Sequence, residues 1–257
     1  MAVKPSSPAV DASHSLATGL EAFWLMGEGS GTTITAYGDA SSADMTLSNS
    51  PTWDSDGQGN FLDFDPASSY ASTAGHISEF DVGAFTVAAR VKSSGVSGNR
   101  RIFTHTDSGG SEGCSLYLNG TTHYFATKIG TFFPWGRPLG TADADGWHTI
   151  ICRVTGTHVK QDIDGTSYSL ARAGSNTTVS DSTPAYIATL DGMQQFFDDG
   201  VQAVAFWSID IGDAGVTSLE ADFFGVLRGS AASSGAVRRR VNGGLTVPTL
   251  VNGGLVR

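Results

Sequence analysis

Asp63 with Asp65, and Asp162 with Asp164, stand two residues apart within stretches that alternate like strands. Residues i and i+2 of a strand share a face. Each pair is therefore a candidate for two carboxylates over one cleft, which cleave glycosidic bonds when about 5–9 Å apart. The fuller strand signature of that chemistry, Glu-x-Asp-x-x-Glu, does not occur in the chain, which has only five glutamates. The simpler reading is a solvated strand face at Asp63/Asp65 and a turn at Asp162/Asp164, and no catalysis is expected. The six histidines (His14, His76, His105, His123, His148, His158) show neither H-x-H nor H-E-x-x-H spacing. His148, which follows Trp147 at the start of an apolar run, is expected to make a structural hydrogen bond. "GSGTT" from Gly29 lacks the lysine that phosphate cradling needs, so it reads as a turn.

Two further groups are candidates for binding. "GTFFPWGRPLG" (Gly130–Gly140) sets Phe132, Phe133 and Trp135 in a Pro/Gly-braced loop, suited to stacking on a sugar or a partner, or else to covering one end of a core. Asp44, Asp54, Asp56, Asp198 and Asp199 offer the hard oxygen donors that calcium takes. No spacing groups them, so no metal residue is assigned and no cofactor is expected, calcium being the one ion in question.

The elements that must position these residues are strands. "FLDFD" (Phe61–Asp65) alternates large apolar and acidic residues with period 2. "FTVAARVK" sets Phe85, Val87, Ala89 and Val91 on one face, and Thr86, Arg90 and Lys92 on the other. "GWHTIICRV" is apolar on both faces, as in a central strand covered on each side. "HVKQDIDGTSYSL" carries Asp164-Gly165 between two alternating runs and predicts a type I′ hairpin. "VQAVAFWSI" (Val201–Ile209) is the last long strand. One helix is predicted in "DAGVTSLEADFFGVL", with Thr217-x-x-Glu220 as a capping box. Many short strands with frequent turns and one late helix indicate an all-β sandwich. The predicted organisation is an N-terminal arm (1–17), a sandwich (18–227), and a linker with a C-terminal arm (228–257).

Length and composition fit this: 257 residues, 40% hydrophobic, 16% charged and 33 glycines. Residues 1–227 carry ten Lys/Arg against all 25 acidic residues, a net of −15, while 228–257 carry five arginines and no acid. The acidic body would repel phosphates, so no nucleic-acid partner is expected. No run of 18 apolar residues exists for a helical membrane span. The opening "MAVKPSSPAVDASHS" has no apolar h-region, which predicts synthesis without a secretory signal. Cys114 and Cys152 both lie in apolar strand patterns and read as buried free thiols, a single bridge being the alternative.

In order along the chain, "GLEAFWLMGEGSGTTITAYGDASSADMTL", "FLDFD…SSYAST", "FTVAARVKSS", "DGWHTIICRVTGTHVKQDIDGTSYS" and "FFDDGVQAVAFWSIDIGDAGVTSLEADF" resemble laminin-G-like, concanavalin A-like jelly-roll domains. The resemblance covers roughly Gly19 to Leu227. It implies a jelly-roll β-sandwich with one short helix near its end, of a kind that often binds glycans or proteins, sometimes through calcium. Where the family often carries an acidic closing strand, this chain has Val201-Gln202-Ala203-Val204. No calcium ligand set is carried over.

The C-terminal arm repeats itself: Val241-Asn242-Gly-Gly-Leu245 returns as Val251-Asn252-Gly-Gly-Leu255, just after Arg238, Arg239 and Arg240. Asn-Gly favours tight turns, and Val and Leu offer side chains to neighbouring pockets. Alone, such a segment cannot offset an ordering cost of roughly 1–2 kcal/mol per residue. It reads as a docking arm for sister subunits or a larger assembly. The resulting expectation is a non-enzymatic bacteriophage virion protein, a capsid-decorating or head/tail-attached subunit. Its partners would be copies of itself, other virion proteins and a host surface glycan. A carbohydrate-binding lectin or adhesin is the alternative, and a divergent glycosidase the third reading.

Overall fold

A computed structural model describes residues 5, 8–40, 42–93, 98–106, 113–120, 122–129, 131–138, 146–171 and 183–228, with 128–129 and 131–138 as backbone alone. The first half of the chain forms β1 (Leu20–Leu25), β2 (Thr33–Ile34), β3 (Ala36–Tyr37), β4 (Met45–Ser48), β5 (Thr52–Asp56), β6 (Gly59–Asp63), β7 (Tyr70–Thr73), β8 (Phe85–Lys92) and β9 (Asn99–Thr106). The second half adds β10 (Gly113–Asn119), β11 (Thr122–Ile129), β12 (Thr131–Pro138), β13 (Trp147–Val154), β14 (His158–Ile163), β15 (Thr166–Ala171), β16 (Tyr186–Ile187), β17 (Gly200–Trp207) and helix α1 (Gly212–Ala221). Two antiparallel sheets result. One has nine strands in the order β15-β14-β13-β8-β17-β1-β3, with β5 and β6 joined at β17. The other has eight, in the order β12-β11-β10-β9-β16-β7-β4-β2. This is the β-sandwich that the alternation and turn spacing predict, in the jelly-roll form that the family resemblance implies.

Period-2 alternation divides the apolar residues between two cores. Val87, Ala89, Val91, Ile150, Cys152, Val204 and Phe206 face the eight-stranded sheet. Phe206 is at the centre, stacked on Phe80 at 4.0 Å and on Phe85 at 5.5 Å; Trp24 closes edge-on to Phe80 at 6.0 Å. Ala88, Ile151, Ala203, Ala205 and Trp207 alternate with these and face the other way, under Leu16, Val216, Leu219, Phe223 and Phe224. All eight residues of β17 are buried for this reason. The Asp164-Gly165 turn joins β14 to β15 with φ of 48° and 80°, as a type I′ hairpin requires. Cys114 and Cys152 are free and buried.

Two expectations are corrected. Residues 8–17, expected as part of an arm separate from the sandwich, are docked on it. The Ala9 N–H donates to Leu227 O and that of Asp11 to Val226 O, and the buried Leu16 lends its carbonyl to Trp207 Nε1 at 2.7 Å. The helix also starts earlier than Thr217. Asp210 accepts the Gly212 N–H at 3.0 Å, while Thr217 lies inside the helix and donates to Asp213 O. Asp213 in the first turn complements the helix dipole and is held by Arg153 at 2.8 Å. The start is thus marked by the Asp210 acceptor and by a tertiary ion pair from Asp213.

Truncating Phe206 to Ala removes the ring that both sheets share. It is expected to cost about 3–5 kcal/mol, read from urea unfolding monitored by tryptophan fluorescence.

Candidate functional site

The aspartate pairs that opened the sequence reading do not form a cleft. Asp162 is 1% exposed and lies beside Arg153 at 3.4 Å, while Ser167 donates to its other oxygen. Asp164 is the first residue of the hairpin turn, where strand alternation ends, and holds His148 Nδ1 at 2.7 Å and the Thr149 N–H at 2.8 Å. Burial alone would raise the Asp164 carboxyl; these hydrogen bonds outweigh it and hold it below the usual range. His148 therefore makes the structural hydrogen bond expected of it. Asp63 has its carboxyl raised by burial and by the charges of Asp199 and Asp54, whereas Asp65 accepts the Ala67 N–H in a turn.

The outer face of the eight-stranded sheet carries a different set of side chains. Residues paired across strands share a face, and the registers align Tyr124 with Tyr117, Tyr117 with Arg101, Ser115 with Thr104, and Thr104 with Tyr186. The Arg101 guanidinium lies 4.1 Å over the Tyr117 ring, which stacks on Tyr124 at 5.0 Å and 9°. Gln195 accepts from Arg101 Nε and Ser115 from Nη1, both at 2.7 Å. Desolvation lowers the guanidinium to about 10, so it keeps its charge at neutral pH. Tyr186 and Tyr70 lie farther along this face, 6.2 Å apart, with Phe196 beside Tyr70. Arg101 and Tyr117 are buried, whereas Tyr124, Tyr186 and Tyr70 keep part of their surface in solvent. The Thr189–Phe196 loop folds over this face, its turn at Gly192 (φ 79°) so close to Tyr70 that a Cβ there would sit 3.2 Å from the phenol. Flat rings next to oriented hydroxyl, amide and guanidinium groups suit a ligand with apolar C–H faces and hydroxyl edges.

The residues named from sequence fare unevenly. Phe132, Phe133 and Trp135 are not in a loop: they belong to edge strand β12 of this same sheet, opposite Lys128, Thr127 and Phe125. Ladder pairing with β11 overrides the Pro/Gly signal, and an edge is where a strand tolerates proline. Of the suggested calcium ligands, Asp44 accepts the Ala36 N–H, Asp54 that of Ser55, and Asp56 the indole of Trp147. Asp198 lies 3.8 Å from Arg100, and Asp199 accepts the Gly200 N–H. Among the described residues, the group of His, Asp or Glu ligand atoms close enough to share an ion is instead His76, Asp81 and His105. The arm residues Arg238, Arg239, Arg240, Val241, Asn242, Leu245, Val251, Asn252 and Leu255 lie outside the described residues.

The family profile described as the concanavalin A-like lectin/glucanases superfamily, of the laminin-G type, matches residues 65–216. The chain belongs to this superfamily. Comparison with curated protein sequences returns no match. Among solved structures, the chain is similar to the binding domain of botulinum neurotoxin serotype D (TM-score 0.64, 7% identity, 81% of this chain and 53% of that one). It is also similar to domain 4 of a GH43 extracellular arabinanase from Geobacillus stearothermophilus, solved with arabinotriose (0.59, 12%, 78% and 98%). A third is Trypanosoma rangeli sialidase, solved with sialic acid (0.58, 14%, 82% and 34%). At such identities the likeness is one of fold. The chain spans about half the length of the toxin binding domains it matches.

Inside this superfamily fold, the core carries a titrating group. His123 is fully buried opposite Leu118; desolvation, and then the nearby His148, hold its imidazole down to about 3 from an ordinary 6.5. Between those values the unfolded chain binds a proton that the fold does not. Stability is therefore expected to be complete above about pH 6.5. It should fall by roughly 1.4 kcal/mol per pH unit as acid is added. Urea midpoints at pH 7.5 and pH 5 measure this, and His123→Leu should flatten the slope.

Proposed function

We propose that this chain is a non-enzymatic carbohydrate-binding domain that receives a glycan on the outer face of its eight-stranded sheet. The stacked Arg101–Tyr117–Tyr124 array, continued by the partly exposed Tyr186 and Tyr70, carries this reading. Sugar rings stack their C–H faces on aromatic planes, and the part-exposed Gln195 amide, held in place by Arg101, lies beside them. The similarity to an arabinanase domain solved with arabinotriose and a sialidase solved with sialic acid supports the ligand class. Glycan-array screening followed by calorimetry tests it. Tyr124→Ala and Tyr186→Ala are each expected to weaken binding about ten-fold, or about 1.4 kcal/mol, without unfolding the domain. Binding that survives both substitutions but is lost in Trp135→Ala would move the site to the β12 edge.

The setting we propose is a virion, with the domain displayed as a capsid-decorating or head/tail-attached subunit. An acidic body followed by a basic, repeated terminus supports an arm that docks elsewhere. So does the position of the described ends: Ala9 bridges Arg228 beside the outer core of the nine-stranded sheet, on the side away from the tyrosines. A domain anchored there presents its glycan face outward, and repetition over a particle would amplify weak contacts through avidity. Removing residues 229–257, which spares the Ala9–Arg228 bridge, is expected to leave a folded monomer while the full chain assembles. Light scattering after size exclusion measures both, and a monomeric full chain would argue against the arm as a clasp between copies.

A further inference from the structure

We propose that His76, Asp81 and His105 form a binding site for a divalent transition-metal ion of the zinc class. His76 and Asp81 bracket the short 3-10 turn Ser78–Phe80, and Asp81 closes that turn with its N–H on Ser78 O. His105 projects from β9 and is 1% exposed. One donor atom from each of the three lies within 4.8 Å of the others, with His76 Nε2 and Asp81 Oδ2 at 2.8 Å. Tetrahedral zinc, with bonds of about 2.0–2.2 Å, needs its donors roughly 3.4 Å apart. Small ring and carboxylate rotations bring these three to that spacing.

Two observations favour an ion over a mere hydrogen-bonded pair. The rings of His76 and His105 stack at 5.1 Å and 21°, which presents two imidazoles side by side to one carboxylate. His76 Nδ1 is also buried with no hydrogen-bond partner among the described residues, and such atoms are rare in satisfied structural clusters. The surroundings suit a charge that must be held tightly. Phe80 packs edge-on to His105 at 5.3 Å and backs onto Phe206, giving an apolar wall, while His76 and Asp81 are about one-fifth exposed and leave a path from solvent. Two imidazoles and one carboxylate form the borderline donor set that suits zinc-class ions better than calcium. The bound ion would clamp the 76–81 segment across to β9 and close this end of the sandwich.

The test uses the full chain, freed of metal by a chelator and titrated with Zn2+ by calorimetry, and with Co2+ by visible absorption. The expected result is one ion per chain, a tetrahedral Co2+ spectrum and a melting temperature that rises with Zn2+. His76→Asn and Asp81→Asn, both at partly exposed positions, are expected to weaken Zn2+ at least ten-fold and to remove the thermal shift; His158→Asn is expected to change neither. Absence of binding in molar excess of Zn2+, or one-to-one binding that His76→Asn leaves intact, would overturn the proposal.

Discussion

Strand β17 has no solvent-facing side. Its eight residues are buried, alternately against the eight-stranded sheet and against the layer of α1 and residues 8–17. A strand of this kind forms only if both covers are in place, because each uncovered apolar side chain forfeits roughly 1.5–3 kcal/mol. The rest of the architecture follows from this. Phe206 needs Phe80 and Phe85 above it, and Trp207 needs Leu16 and the helix below, with its indole satisfied by the Leu16 carbonyl. The outer layer of the nine-stranded sheet is therefore occupied by structural elements. The outer face of the other sheet carries the tyrosines instead, with the Thr189–Phe196 loop against part of it.

Buried charges serve the same architecture. Arg153, 2% exposed on its side chain, meets Asp162, Asp210 and Asp213, whose pull outweighs burial and raises its guanidinium. This network fixes where α1 begins and how it lies on the sheet. Arg90 does similar work at the other end, bonding Gln202, Thr149 and Gln58 from three separate elements, with Trp147 beside it. The buried Arg153–Asp162 pair contributes modest net stability but penalises any arrangement that leaves one partner alone. Asp162, one of the carboxylates that looked available for chemistry, is consumed in this way.

The tyrosine face obeys a different logic. Its polar groups are satisfied within the chain, Arg101 by Gln195 and Ser115, so the side chains of this surface are held in fixed positions. Preorganised, partly dry aromatic surfaces bind with little ordering cost. The loop over it is pinned by the close approach of Gly192 to Tyr70 and by the Arg100 bond to the Phe196 carbonyl.

Much of the fold was legible in the sequence because alternation and turn chemistry are local. The two-faced apolar runs at Trp147–Val154 and Val201–Trp207, the Asp164-Gly165 hairpin and the existence of a late helix follow from period and φ requirements alone. The site was far less legible. Tyr117, Tyr124, Arg101 and Tyr186 come from four strands spread over some 85 residues, and cross-strand register, which no local pattern encodes, brings them together. A signal did exist in the alternating Ser115/Tyr117 and Tyr124, but nothing local says which sheet face is covered. His76, Asp81 and His105 escaped motif spacing for the same reason, since a strand and a distant turn meet only in the folded sandwich. Helix α1 begins where Arg153 can reach Asp213, and the loop expected around Trp135 becomes a strand because β11 offers it a ladder. The sequence by itself determined which residues alternate and where the chain turns; only tertiary structure decided which faces meet, because that choice depends on burying both sides of one sheet at once.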